Sequence, residues 1–116
     1  IAYLSPRIYG GYATTNLNPE PFAWYTGWAC KLAIEAQIAA APGTAFEGPN
    51  AVMPWLSWGP YLWANGLTPN SEGLVWQRED LISDGTHPSA SGTAKVAEAL
   101  LRCFSTDPTA KPWFMK

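Results

Sequence analysis

Asp84, Gly85, Thr86, His87, Pro88 and Ser89 form one polar run, and it holds the only histidine among the chain's 116 residues. A carboxylate three positions before an imidazole, in a compact turn, can accept the ring's Nδ1–H bond. It then fixes the tautomer, leaves Nε2 free to take a proton, and stabilises the imidazolium that forms. Histidine suits that duty because it ordinarily titrates near neutral pH. Gly85 permits a backbone conformation closed to other residues. Pro88 pushes His87 toward extended geometry, which holds the ring away from the helix that follows. Spacing alone leaves a plainer alternative open, a turn and helix cap with His87 exposed between them. A general base also needs a nucleophile to activate, and no convincing one is visible. The chain therefore reads as two catalytic groups out of three, the C-terminal part of a hydrolase.

The elements around this turn must present it. Ile1 to Ser5 is a short apolar run ended by Pro6, as expected of a buried strand entering a loop. Asn18-Pro19-Glu20-Pro21 looks like a helix entrance, with prolines in the first turn and an acid near the positive end of the dipole. From Phe22 to about Ala40 the pattern is helical, with Phe22, Tyr25, Ala29, Leu32, Ala33 and Ala36 near one face, and Pro42-Gly43 stops it. Trp58 to Ala64 reads as a second strand with Gly59 and Pro60 at its entrance, and Asn65-Gly66 as a turn. Gly73 to Trp76 is a candidate short extension. Ser89 caps a last helix striped by Val96, Leu100, Cys103 and Phe104. The tail through Pro112-Trp113-Phe114 is expected to pack back onto the body. Strand, helix, strand, long loop, helix is the second half of an α/β sheet built on a parallel crossover. Functional crevices of such sheets lie beyond the carboxyl ends of the strands, where the loops at Arg7–Tyr12 and Asn65–His87 both leave.

Composition narrows the classes. Hydrophobic residues make up 47% of the chain and charged residues 14%, which argues against disorder. A formal charge of −2 offers no basic patch for nucleic acid. No apolar run is long enough to span a membrane, and no signal peptide is recognised. Ile1 stands where a strand would already be under way, so residues 1–116 are read as a single partial domain. One histidine and two distant cysteines, Cys30 and Cys103, make a structural zinc site improbable and no metal is expected. The cysteines read as buried thiols, with a disulfide between the two helices left open.

Asp84-Gly85-Thr86-His87-Pro88-Ser89, followed by Gly92 and Lys95-Val96-Ala97, resembles the last sequence block of the SGNH (GDSL-type) hydrolases. Ala2 to Ala13, Asn18-Pro19-Glu20-Pro21 and Gly59 to Ala64 are similar to one bacterial branch of that superfamily, so the resemblance covers nearly the whole chain. It implies the C-terminal part of a three-layer α/β/α flavodoxin-like fold with five parallel strands. It also implies a serine esterase or acylhydrolase with no cofactor, acting on a small-molecule or glycan ester, with Asp84 and His87 catalytic. An extracytoplasmic setting follows from the look of the branch alone. The family's nucleophilic serine and its oxyanion-hole glycine and asparagine fall in earlier blocks, which the resemblance places before Ile1. Ser5, Ser57, Ser71, Ser83, Ser89, Ser91 and Ser105 match no nucleophile block, so this stretch by itself is expected to be inactive.

Arg7, Tyr9 and Tyr12 follow the first strand and Trp63 ends the second, so all four are candidate lining of the substrate cleft. Packing beneath neighbouring loops is the alternative for each. Trp24, Trp28 and Trp76 are expected to bury surface, and Lys31 with Glu35 to form a solvated i,i+4 pair. A second class of function is a non-catalytic carbohydrate-binding domain that uses its seven tryptophans for stacking. A third is a scaffold domain whose serine never existed.

Overall fold

Pro6 has no N–H to donate, and at its level, two residues past the last pair and alongside Pro60, the strands of this chain stop pairing. In the computed structural model, which describes residues 1–14 and 21–116, strand β1 (Ala2–Leu4) runs parallel to strand β2 (Leu56–Trp58). Ala2 stands opposite Leu56, Tyr3 opposite Ser57, and Leu4 opposite Trp58. Beyond the prolines the chains meet again at a parallel bridge between Tyr9 and Trp63, where the Ala64 N–H donates to the Tyr9 carbonyl at 3.0 Å. The second strand thus starts two residues earlier than its sequence pattern implies. Gly59 and Pro60 lie at its exit rather than its entrance: the Gly59 N–H donates to the Leu4 carbonyl at 2.7 Å, and the next donor in register would be Pro6, which has no N–H.

Helix α1 (Phe22–Ile38) joins the two strands, and the expected entrance residues Asn18, Pro19 and Glu20 lie outside the described residues. Its packed face is not the one periodicity singles out. Ala23, Ile34 and Gln37 are buried, while Phe22, Tyr25 and Leu32 are exposed. Apolar residues occur on all sides of this helix, so contact decides the matter. Small residues let the helix approach: a Cβ on Gly27 would already meet Pro6 and Tyr61 at 3.7 and 3.8 Å. Gln37 stitches the helix end to β2. Its amide donates to the carbonyls of Thr44 at 3.2 Å and Pro54 at 3.0 Å, and its oxygen accepts the Leu56 N–H at 2.7 Å. The helix stops before Pro42-Gly43, in a Schellman turn: the Ala40 N–H reaches the Gln37 carbonyl, the Ala41 N–H reaches that of Ala36, and Ala40 adopts φ +52°.

Helix α2 (Ala90–Thr106) is capped by Ser89, whose hydroxyl accepts the Gly92 N–H, and it buries Gly92 and Ala99. Helix α3 (Lys111–Phe114) brings Trp113 and Phe114 to 5.8 and 5.6 Å from Phe104, so the tail does fold back. Tyr3 reaches the same cluster, its ring 5.3 Å from Phe104 and its hydroxyl 2.8 Å from that of Thr109. Ala64, Trp76 and Leu81 form the buried centre, with Ile8, Tyr12, Leu74 and Val96 packed on it. Gly73 to Trp76 is not a strand; the Trp76 indole N–H is anchored on the Leu62 carbonyl at 3.1 Å. Trp24 and Trp28 do not bury their surface, remaining 45% and 42% exposed. With Trp58 and Tyr61 they flank a groove of about 330 Å³. Cys30 and Cys103 are free thiols that burial pushes above their ordinary range. Among the described residues the architecture is mixed helix and strand around a two-stranded parallel sheet, and no helix is long and apolar enough to cross a membrane.

Candidate active site

The Asp84–His87 turn is the tip of a loop whose legs are already joined at the base. Leu81 and Pro88 form an antiparallel bridge, the Ile82 N–H donates to the His87 carbonyl at 2.9 Å, and the Ser89 N–H donates to the Asp80 carbonyl at 2.8 Å. Gly85 closes the tip with φ +67° and an N–H bond to the Ile82 carbonyl at 2.9 Å. Its place is set from outside as well. A Cβ there would overlap the Tyr12 carbonyl, so only glycine lets the loop after β1 lie against the turn. Thr14 completes that junction, its N–H and hydroxyl donating to the Asp84 carbonyl at 2.9 and 3.1 Å.

Within the turn the Asp84 carboxylate is engaged on both oxygens. Oδ1 accepts the N–H groups of Thr86 at 2.9 Å and His87 at 3.0 Å, an Asx-type turn. Oδ2 lies 2.6 Å from His87 Nδ1. The bond from the His87 side chain, then those backbone N–H groups, hold the Asp84 carboxyl down at about 2, against a smaller upward push from burial. An ionised carboxylate can only accept, so Nδ1 carries the proton and Nε2 becomes the basic nitrogen of the neutral ring. The His87 side chain is 61% exposed against 18% for Asp84, which leaves Nε2 accessible. This is the arrangement a general base requires: one nitrogen oriented, the other presented.

Beneath the turn lies a network that its sequence does not advertise. Asp80 is 1% exposed. Its carboxylate accepts from the Lys95 ammonium, from the Gln77 N–H at 2.8 Å and from the Ser91 hydroxyl at 2.9 Å. Burial raises the Asp80 carboxyl, but those three bonds outweigh it and the net shift is downward. Lys95 also donates to the Val75 carbonyl at 3.1 Å, so one cation from α2 secures two segments of the long loop. Gly92 sits where α2 crosses the Asp80 carbonyl, with no room for a Cβ. The Thr86 hydroxyl is buried and has no hydrogen-bond partner among the described residues. The Gln77-x-x-Asp80 spacing of a capping box, whose Asp80 side chain accepts the Gln77 N–H, is the sequence signal that could have pointed to the network.

Of the residues expected at the site, the structure joins Asp84 to His87 and brings the Tyr12 backbone under them. The Tyr12 side chain turns to the core, its hydroxyl donating to the Trp76 carbonyl at 3.1 Å. Tyr9 and Trp63 stack on each other at the strand exits, rings 5.6 Å apart and 13° from parallel. Arg7 is tied to α1 through its backbone N–H, which donates to the Thr26 hydroxyl at 3.1 Å. No family model, curated protein or solved structure matches this chain.

Proposed function

We propose that Asp84 and His87 are the orienting acid and the general base of an SGNH-type serine ester hydrolase. The observation that carries this reading is the 2.6 Å bond from His87 Nδ1 to an ionised Asp84, with the far side of the ring open to solvent. In the complete site, Nε2 takes the proton from a serine hydroxyl as its oxygen attacks the ester carbonyl. The imidazolium returns that proton to the departing alkoxide, leaving an acyl-enzyme. Water then attacks the acyl carbon with His87 again as base; the bond to the serine oxygen breaks, that oxygen takes the proton back from the ring, and the carboxylic acid departs, with Asp84 steadying the positive ring in both halves. The serine and the oxyanion donors belong to sequence blocks that residues 1–116 do not contain, and the α/β/α flavodoxin-like layering is part of the same proposal. The parallel β1–α1–β2 unit supports it. Small acyl esters and acylated glycans are the substrate class.

The test is hydrolysis of a short acyl ester by a protein that includes the preceding residues, with and without His87→Ala. Loss of the base should lower turnover about 10²- to 10⁴-fold. Unchanged turnover would eliminate His87 from the mechanism. One observation favours a second reading, a sugar-binding domain: Trp24, Trp28 and Trp58 keep 45%, 42% and 38% of their surface exposed around one groove. That reading requires glycan binding that survives His87→Ala and is lost on removing Trp28.

A further inference from the structure

We propose that Arg78 is a positioning residue for the His87–Asp84 pair, acting through the backbone that leads into it; the inference rests on the catalytic reading of that pair. Arg78 opens the 3₁₀ turn Arg78–Asp80. Its Nη1 donates to the carbonyls of Leu81 at 3.0 Å and Ile82 at 2.9 Å, and its Nη2 to that of Ser83 at 3.0 Å. In an extended segment successive carbonyls point to opposite sides. Three consecutive ones aimed at a single cation mean that this leg of the loop is wrapped around the guanidinium. The next carbonyl, that of Asp84, is held by Thr14. Every carbonyl from Leu81 to Asp84 therefore has a donor within the protein, although Ile82 and Ser83 are exposed and water could serve them. Surface loops ordinarily leave such groups to solvent. A fully bonded approach to an exposed catalytic ring is the mark of preorganisation, which productive geometry needs to within about 0.5 Å.

The guanidinium is the group fitted to this task. It is a planar fork of five donors, whereas an ammonium is a point charge on a flexible stem. Arg78 makes no hydrogen bond to the Asp84 carboxylate or the His87 ring among the described residues, so its influence passes through the chain. Rotation of the Ile82 or Ser83 peptide would swing Asp84 relative to Ile82, and rotation of the Leu81 peptide would turn Ile82 itself. The bonds from Ile82 N–H to the His87 carbonyl and from Gly85 N–H to the Ile82 carbonyl would then move the ring as well.

The experiment uses the single histidine as its own probe, since its hydrogen-bonded Nδ1–H gives one low-field proton resonance with no second imidazole to confuse it. The solvent-exchange rate of that proton and the helical circular dichroism are measured for the wild-type chain, Arg78→Met, Arg78→Lys and Arg102→Met. Arg102, which pairs with Glu72 at 3.5 Å, serves as the control. Arg78→Met should keep the helical signal and exchange at least about tenfold faster, the factor that one net hydrogen bond to a charged group is worth. Arg78→Lys should fall between, and Arg102→Met should match wild type. An unchanged rate in Arg78→Met overturns the proposal. So does a faster rate that appears only alongside lost helix, which would make Arg78 a folding residue, and so does full restoration by lysine, which would deny the fork its role. Ester turnover plays no part in this readout, so a failed hydrolysis assay and a failed Arg78 result are distinguishable.

Discussion

Replacing Gly85 by alanine separates two costs that the structure superimposes at one position. Gly85 has φ +67°, and a Cβ in that left-handed region costs about 1–2 kcal/mol for an ordinary residue. The same Cβ would overlap the Tyr12 carbonyl, which must withdraw. Withdrawal gives up the two bonds from Thr14 to the Asp84 carbonyl, at 2.9 and 3.1 Å. Each is worth about 0.5–1.5 kcal/mol net, so the full loss should be about 2–5 kcal/mol. Gly73 provides the reference, with φ +79° and no atom within 4 Å of a Cβ built on it. Gly73→Ala should therefore lose only the backbone part, about 1–2 kcal/mol. Urea titrations of the two variants and the wild type, followed by circular dichroism at constant m, give the difference directly. Equal losses at the two glycines would refute the claim that the loop after β1 is seated on the Asp84–His87 turn.

Lys95→Met leaves the Asp80 carboxylate buried without its cation and should cost about 3–5 kcal/mol, with Asp80→Asn added to it recovering part of the loss in the same urea assay. The Asp84 carboxyl is lowered in the folded state to about 2, from an ordinary value of about 3.9. A group with a depressed folded value adds stability above its unfolded value and loses it as pH falls through the folded one. Acid titration of the wild type should therefore show a stability loss between about pH 4 and pH 2 that Asp84→Asn reduces. Ala40→Gly, at the φ +52° position that ends α1, should stabilise the chain by about 0.5–1 kcal/mol, read as a raised thermal midpoint.

What could be read from residues alone was mostly local. Asp84 reaches His87 across three positions, and Ser89 caps the helix it precedes, because each interaction closes within one turn of chain. The first strand and the folded-back tail were legible for a similar reason, an apolar run stopped by proline and a dense aromatic cluster. Helix α1 misled because its apolar residues surround it: Ala23, Ile34 and Gln37 are buried while Phe22, Tyr25 and Leu32 stay exposed, and Gly27 lies beside Pro6 and Tyr61. The second strand was displaced because Trp58 to Ala64 looks the more apolar, whereas the ladder ends where Pro6 has no N–H to donate. Arg78, Asp80 and Lys95 went unseen as a set. Charged residues at such spacings ordinarily face water, and only the crossing of α2 over the 3₁₀ turn brings Asp80 and Lys95 together.

Gln37 carries a consequence for the long connection between α1 and β2. Because one amide grips the carbonyls of Thr44 and Pro54 together, the nine residues between them leave and re-enter the body at a common point. The Val52 and Met53 N–H groups both return to the Ala45 carbonyl and shut the excursion a second time. Its outer part, Phe46 to Asn50, is exposed throughout. An epitope or a fluorescent module grafted into Glu47–Asn50, past the Phe46 ring that stacks on Trp55, would ride on a closed stalk, and the register of Leu56 against Ala2 would not feel its length.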